Sequence, residues 1–181
     1  MLIGALWLLV PVVGWLMNMG HRIRMVHQMH HGRSPWGAWR EPMDLLKHGA
    51  ITFAGMVWYG WPGVLLMALG GWFGQPAIAG VGFVLWAAAV IAIPGYMSHY
   101  CRELDPGEIF DPVRALSRVR QGGRLYWRAW RIALTAMVLS FLGLLGLGVG
   151  FLWTSVWFWQ VAGFSFATCF TQTFDLDEGA S

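Results

Sequence analysis

The chain has 181 residues, of which 57% are hydrophobic and only 12% are charged. Soluble domains carry about 25% charged residues, so this composition excludes an ordinary soluble domain. The apolar stretches are continuous rather than alternating, which disfavours a transmembrane β-barrel. Several of them exceed the ~18 residues that a bilayer-spanning helix needs. We therefore expect an all-α fold, a polytopic transmembrane helix bundle with about five spans.

The positive charges are confined to two segments. Residues 20–48 and 99–131 together contain all twelve Lys and Arg residues. Short basic loops mark the cytoplasmic side of a membrane protein, so both segments are predicted to face the cytoplasm. Basic groups at a membrane surface suit anionic lipid head groups, and this interpretation is favoured over nucleic-acid binding.

The first predicted span covers 1–19, with its N-terminus outside. No positive charge precedes it, and His21, Arg22 and Arg24 follow it. A cleavable signal peptide has the opposite arrangement. The helix is predicted to continue to about His31, and a turn follows before the second span.

The segment 49–94 contains 46 residues without a charge, which is too long for one span. We predict two spans, 49–69 and 77–97, joined by a glycine-rich turn at 70–76. The charge-free segment 132–174 is divided in the same way, into spans 132–147 and 151–170. A re-entrant hairpin is the alternative there. The acidic tail 175–181 is then cytoplasmic. The predicted architecture is one N-terminal span followed by two hairpins.

Between the hairpins, residues 111–121 are predicted to form a cytoplasmic amphipathic interfacial helix. Asp111 can cap its free N–H groups, Pro112 can occupy the first helical position, and Gly122 and Gly123 can end it. Arginines lie on one side and apolar residues on the other, as in helices that lie on a membrane surface. Lipid head groups and the interface are predicted to be contacted by basic and tryptophan side chains: Arg114, Arg118, Arg120, Arg124, Arg128, Arg131, Trp36, Trp39, Trp127 and Trp130.

Three histidines form the one group with metal-binding spacing. On a helix, His27, His30 and His31 share a face, and three imidazoles can hold zinc with one position open. The spacing is similar to one histidine box of membrane desaturases and hydroxylases. Those enzymes use about eight histidines in three boxes, whereas this chain has six histidines and one box. Interfacial histidines that contact lipid phosphate are the favoured alternative.

The predicted spans contain no Asp, Glu, Lys, Arg or His. Such residues usually mark proton relays or ion paths, so ion-coupled transport is disfavoured. Cys101 and Cys169 are expected to pack between helices without forming a disulfide. We expect no enzyme activity and no cofactor.

Several short motifs carry a family resemblance. They lie near the first two spans and around the interfacial helix: Val12–Trp15, Gly20–Arg24, Pro35, Trp36, Trp39, Leu45, Gly49, Tyr59, Pro94, Tyr96, Ile109–Val113, Arg120 and Tyr126. Together they resemble an uncharacterised prokaryotic multi-pass membrane family, the domain of unknown function numbered four thousand and thirteen. The resemblance implies a multi-pass protein of the prokaryotic inner membrane and transfers no catalytic residue. Members of that family begin with an extra cytoplasmic amphipathic segment, which this sequence does not contain.

Three functional classes remain open. The favoured one is a non-catalytic accessory or assembly subunit that packs against partner helices, lipids or pigments. The second is a small homo-oligomeric transporter or channel for a neutral or lipidic solute. The third is a metal-dependent membrane enzyme that uses His27, His30 and His31.

Overall fold

The computed structural model describes residues 4, 8, 10, 12–34, 39, 41–145 and 149–178. All regular elements in these residues are helical. Five long helices, named α1 to α5 in chain order, are linked by two short 3-10 helices at Pro106–Phe110 and Phe141–Leu145. The long helices are α1 (Val13–His30), α2 (Pro42–Trp72), α3 (Pro76–Glu103), α4 (Pro112–Ser140) and α5 (Val149–Glu178).

Three helical segments are long and apolar enough to cross a membrane: Pro42–Trp72, Pro76–Glu103 and Pro112–Leu145. The predicted all-α class is confirmed for the described residues, and these three segments have the length and composition that membrane spans require. The number of five spans stays a prediction. Of the predicted first span, 1–19, the structure describes residues 4, 8, 10 and 12–19, and α1 begins only at Val13. The predicted fifth span, 151–170, lies within α5.

Helices α2 and α3 form a hairpin, which turns where the glycine-rich segment predicts. Residues 73–75 separate the two helices, and Gly74 adopts a positive φ of 62°, which glycine tolerates without steric cost. Along the hairpin, Gly63 and Gly82 bring the backbones together. A Cβ added to Gly82 would lie 2.5 Å from the Met67 nitrogen. Small residues therefore set the distance between these helices, as in many membrane proteins.

The hairpin packs against α1 on one side, while α4 and α5 form a second antiparallel pair. Two buried clusters support this arrangement. The first, between α1, α3, the 3-10 helix Pro106–Phe110 and the start of α4, includes Ile23, Tyr96 and Ile109. The second, between α4 and α5, includes Tyr126 and Phe166. Cys101 and Cys169 are buried and free of disulfides.

Helix α4 begins as its sequence predicts. The Asp111 carboxylate accepts hydrogen bonds from the backbone N–H groups of Val113 and Arg114, each at 3.0 Å. The helix is interrupted at Gly123, whose φ of 46° and ψ of −126° are not helical. The predicted end of the interfacial helix 111–121 corresponds to this break. Helical structure resumes directly afterwards, so residues 124–131 also belong to α4.

Candidate functional site

The charged residues of α1, α2 and α3 meet at one end of the bundle, because the three helices run antiparallel in turn. Arg24 of α1 forms an ion pair with Glu41 at 2.7 Å and a second with Asp44 at 3.3 Å. This pairing ties the C-terminal half of α1 to the start of α2. We name this end, with Arg24, Asp44, His48 and Tyr100, the polar end of the bundle.

A buried hydrogen bond extends the polar end to α3. The Nδ1 atom of His48 lies 2.6 Å from the Tyr100 hydroxyl, and its Nε2 atom lies 3.4 Å from the Asp44 carboxylate. Because a carboxylate only accepts hydrogen bonds, Asp44 favours the neutral tautomer of His48 with its proton on Nε2, and in that tautomer Nδ1 accepts from the Tyr100 hydroxyl. Sequence inspection had no signal for this pairing, because the two residues are 52 positions apart.

The histidine cluster is only partly assembled. His27 and His31 have ring centroids 4.3 Å apart. The Nδ1 atom of His27 donates to the carbonyls of Cys101 and Arg102, both at 3.0 Å, and that of His31 lies 2.9 Å from the His27 carbonyl. In the part of the chain that the structure describes, no group of three His, Cys, Asp or Glu residues is arranged to hold a metal ion. The metal site predicted at His27, His30 and His31 stays a prediction.

The predicted interfacial residues are mostly accessible. Along α4, Arg118 is partly buried and the other five are exposed: Arg114, Arg120, Arg124, Arg128 and Arg131. Trp127 is exposed, Trp130 is half-buried, and Trp39 stacks on His21 with ring centroids 4.0 Å apart. Trp36 lies outside the described residues. Contact of these side chains with lipid head groups stays a prediction.

Arg22 is the charged residue whose environment sequence reasoning missed. Its position after the first predicted span predicts a charge that flanks the membrane, yet the residue is only 5% exposed. Its guanidinium carbon lies 5.1 Å from the ring centroid of Trp159, and its stem packs against Gly163 of α5. A signal was present in the helical spacing, because Arg22 shares a face with Met19 and Val26, both of which are buried.

A cavity of about 360 Å³ lies beside Arg22, between α1 and α5. Aromatic and aliphatic side chains form most of its wall, including Trp15, Phe151 and Trp159. Two guanidinium nitrogens of Arg22, Nε and Nη2, are buried without a hydrogen-bond partner among the described residues. Unpaired buried charge is costly, which makes this cavity the most unusual chemical feature of the bundle.

A further set of buried hydroxyls lies between α2 and α3. The rings of Tyr59 and Tyr96 stack with centroids 4.9 Å apart. Their hydroxyls and that of Thr52 are buried without hydrogen-bond partners in the described structure. These groups lie inside the helix packing, in contrast to Arg22, which borders a cavity.

Comparison with known proteins gives no match: no family model, no curated protein and no solved structure is similar to this chain at a significant level. The resemblance to the uncharacterised multi-pass family therefore stays a prediction.

Proposed function

We propose that this chain is a non-catalytic integral membrane protein, an accessory or assembly subunit that packs against partner helices. The proposal rests on the surfaces of its apolar helices. Within the most hydrophobic window of each candidate span, only 17%, 17% and 22% of the residues are buried inside the chain. The remaining surface requires an apolar environment, which lipid or partner helices would supply.

Aromatic and branched side chains dominate these outer faces. On α2, Trp58 and Trp61 are about half exposed, and on α3, Phe83 and Val84 are exposed by 56% and 65%. Tryptophan and phenylalanine supply large contact areas with little loss of conformational freedom, which suits helix–helix interfaces. These outer faces therefore suit packing against other helices better than they suit catalysis.

The proposed topology places the polar end and the basic half of α4 at the cytoplasmic face of a prokaryotic inner membrane. The N-terminus lies outside and the C-terminus lies in the cytoplasm, with five spans between them. The support is the confinement of all twelve Lys and Arg residues to 20–48 and 99–131. No catalytic group is assigned, and we propose that the chain is not an enzyme.

Site-specific photo-crosslinking in native membranes tests the accessory role. A photoreactive residue is placed at Val84 on α3 or at Val138 on α4, both more than 60% exposed. A discrete adduct with one partner polypeptide is expected from at least one position. The same photoreactive residue at Gln75, in the exposed turn, is the control for crosslinks that arise from random collisions. Lipid adducts alone at both positions, with a chain that purifies as a monomer, would contradict the proposal.

Two further experiments address the other functional classes. Solute flux through liposomes that contain the pure protein would favour a transporter. Metal analysis of the wild type and of a triple His→Ala variant at His27, His30 and His31 tests the enzyme class. A metal that is bound by the wild type and lost in the variant would favour that class.

A further inference from the structure

We propose that the Arg22 cavity is a binding site for a single-chain anionic amphiphile, a molecule with one phosphate or carboxylate group on an apolar chain. The site is internal to the bundle, between α1 and α5. It does not depend on the accessory role, because a chain without partner subunits would still contain it.

The charge of the cavity is the first argument. None of its described lining residues is acidic: Leu8, Trp15, Asn18, Met19, Arg22, Phe151, Leu152, Ser155, Val156, Trp159 and Gln160. By contrast, Arg24, two residues away on α1, has its charge balanced by ion pairs with Glu41 and Asp44. Arg22 has no ion pair among the described residues, and its guanidinium is held in a nearly dry environment. An anion in the cavity would supply the missing negative charge.

The hydrogen-bonding capacity of the cavity is the second argument. The side-chain amide of Asn18 donates to the carbonyls of Gly4 and Gly14, both at 2.9 Å. The Ser155 hydroxyl donates to the Leu152 carbonyl at 3.1 Å. These donors are therefore used within their own surroundings. The Nε and Nη2 groups of Arg22 have no hydrogen-bond partner among the described residues, but they are fully buried, so the cavity offers an anion the positive charge of the guanidinium rather than these two N–H groups. The side-chain amide of Gln160 also lines the cavity and can donate to an anion.

The shape and lining of the cavity are the third argument, and they decide between a free anion and an amphiphile. Its volume of about 360 Å³ lies within the range of small-molecule sites, about 300–1,000 Å³, and exceeds what one inorganic ion requires. Trp15, Phe151 and Trp159 form an apolar wall beside the guanidinium. A head group at Arg22 with an apolar chain along these rings fits both parts of the site.

Arg22 is also held in place. Its stem fits against Gly163 of α5, where a Cβ would lie 2.7 Å from the Arg22 Cδ atom. The Trp159 ring faces the guanidinium carbon at 5.1 Å, a cation–π arrangement that only partly replaces hydration. The cation is therefore oriented before a ligand arrives, and this lowers the cost of binding.

The test uses the delipidated, full-length protein in a neutral maltoside detergent, with thermal unfolding as the readout. Three probes are added at equal concentration: dodecyl phosphate below its micellar concentration, dodecylphosphocholine and inorganic phosphate. The first has the charge and the chain, the second has the chain without net charge, and the third has the charge alone. We expect saturating dodecyl phosphate to raise the wild-type unfolding midpoint by about 5 °C or more. The other two probes are expected to shift it by less than about 1 °C.

Arg22→Met and Arg22→Gln are expected to lose the response to dodecyl phosphate. Arg24→Met, which removes a neighbouring cation outside the cavity, is expected to keep it. A wild type that responds to none of the probes would overturn the proposal, as would Arg22 variants that respond like the wild type. An equal shift with inorganic phosphate would overturn the assignment to an amphiphile. The comparison of probes on the wild type stands even where a variant does not fold.

Discussion

The close contact between α2 and α3 gives the sharpest prediction for stability. Gly82 and Gly80 both lie inside α3, two residues apart, so a Gly→Ala change raises helix propensity equally at the two positions. A new Cβ at Gly82 would lie 2.5 Å from the Met67 nitrogen and 2.7 Å from the Gly63 carbonyl oxygen. Both are backbone atoms, which can move only if the helices separate. At Gly80, nothing lies within 4 Å of the added Cβ.

The difference between the two variants isolates the steric term, because the gain in helix propensity, about 1 kcal/mol, is common to both. Overpacking of a close contact costs about 1–3 kcal/mol, so Gly82→Ala should be less stable than Gly80→Ala by that amount. Unfolding of the purified protein in mixed micelles by increasing SDS provides the measurement. The pair Gly63→Ala and Gly60→Ala on α2 repeats the comparison, since Gly60 also faces open space. Equal stability within about 0.5 kcal/mol in both pairs would refute the assigned helix contact.

Two further predictions concern the polar groups of α1, α2 and α3. Tyr100→Phe removes the hydroxyl that contacts buried His48 and should lower the free energy of unfolding by about 1–3 kcal/mol. Tyr59→Phe removes a hydroxyl that has no partner among the described residues, and it should be neutral or stabilising. Equal losses of stability in the two variants would contradict the hydrogen bond. Burial lowers the pKa of His21 to about 4 from its usual value of 6.5. The unfolded chain then binds a proton that the folded chain does not, so the stabilisation present above pH 6.5 should fall by up to about 3 kcal/mol as the pH drops towards 4. If the His21→Gln variant lost the same amount of stability between pH 6.5 and pH 4, groups other than His21 would be responsible for the loss.

Local features of the fold were predictable because their causes lie within a few residues. The turn between α2 and α3 depends on Gly74 and on Pro76, which begins the next helix. The start of α4 depends on Asp111 and Pro112, and its interruption depends on Gly123. In each case a backbone conformation is favoured by the residue itself. Chain order and composition were therefore sufficient to place these elements.

The polar contacts were not predictable because they join distant parts of the chain. The burial of Arg22 is caused by α5, through Trp159 and Gly163, and charge counting alone placed it at a solvated surface. The hydrogen bond from Tyr100 to His48 likewise depends on the register of α3 against α2. Periodicity shows which face of a helix is apolar, but it does not identify which helix covers that face.

The orientation of the helices in a bilayer is the central claim, and residue-specific labelling tests it most directly. Gln75→Cys is placed in the turn between α2 and α3, and Ser117→Cys in the basic half of α4, both at exposed positions. The native Cys101 and Cys169 are buried, so the wild type serves as the unlabelled control. With a membrane-impermeant maleimide on intact cells, we predict labelling at residue 75 and none at residue 117 until the membrane is opened. Labelling of both positions from the outside, or of residue 117 alone, would contradict the account.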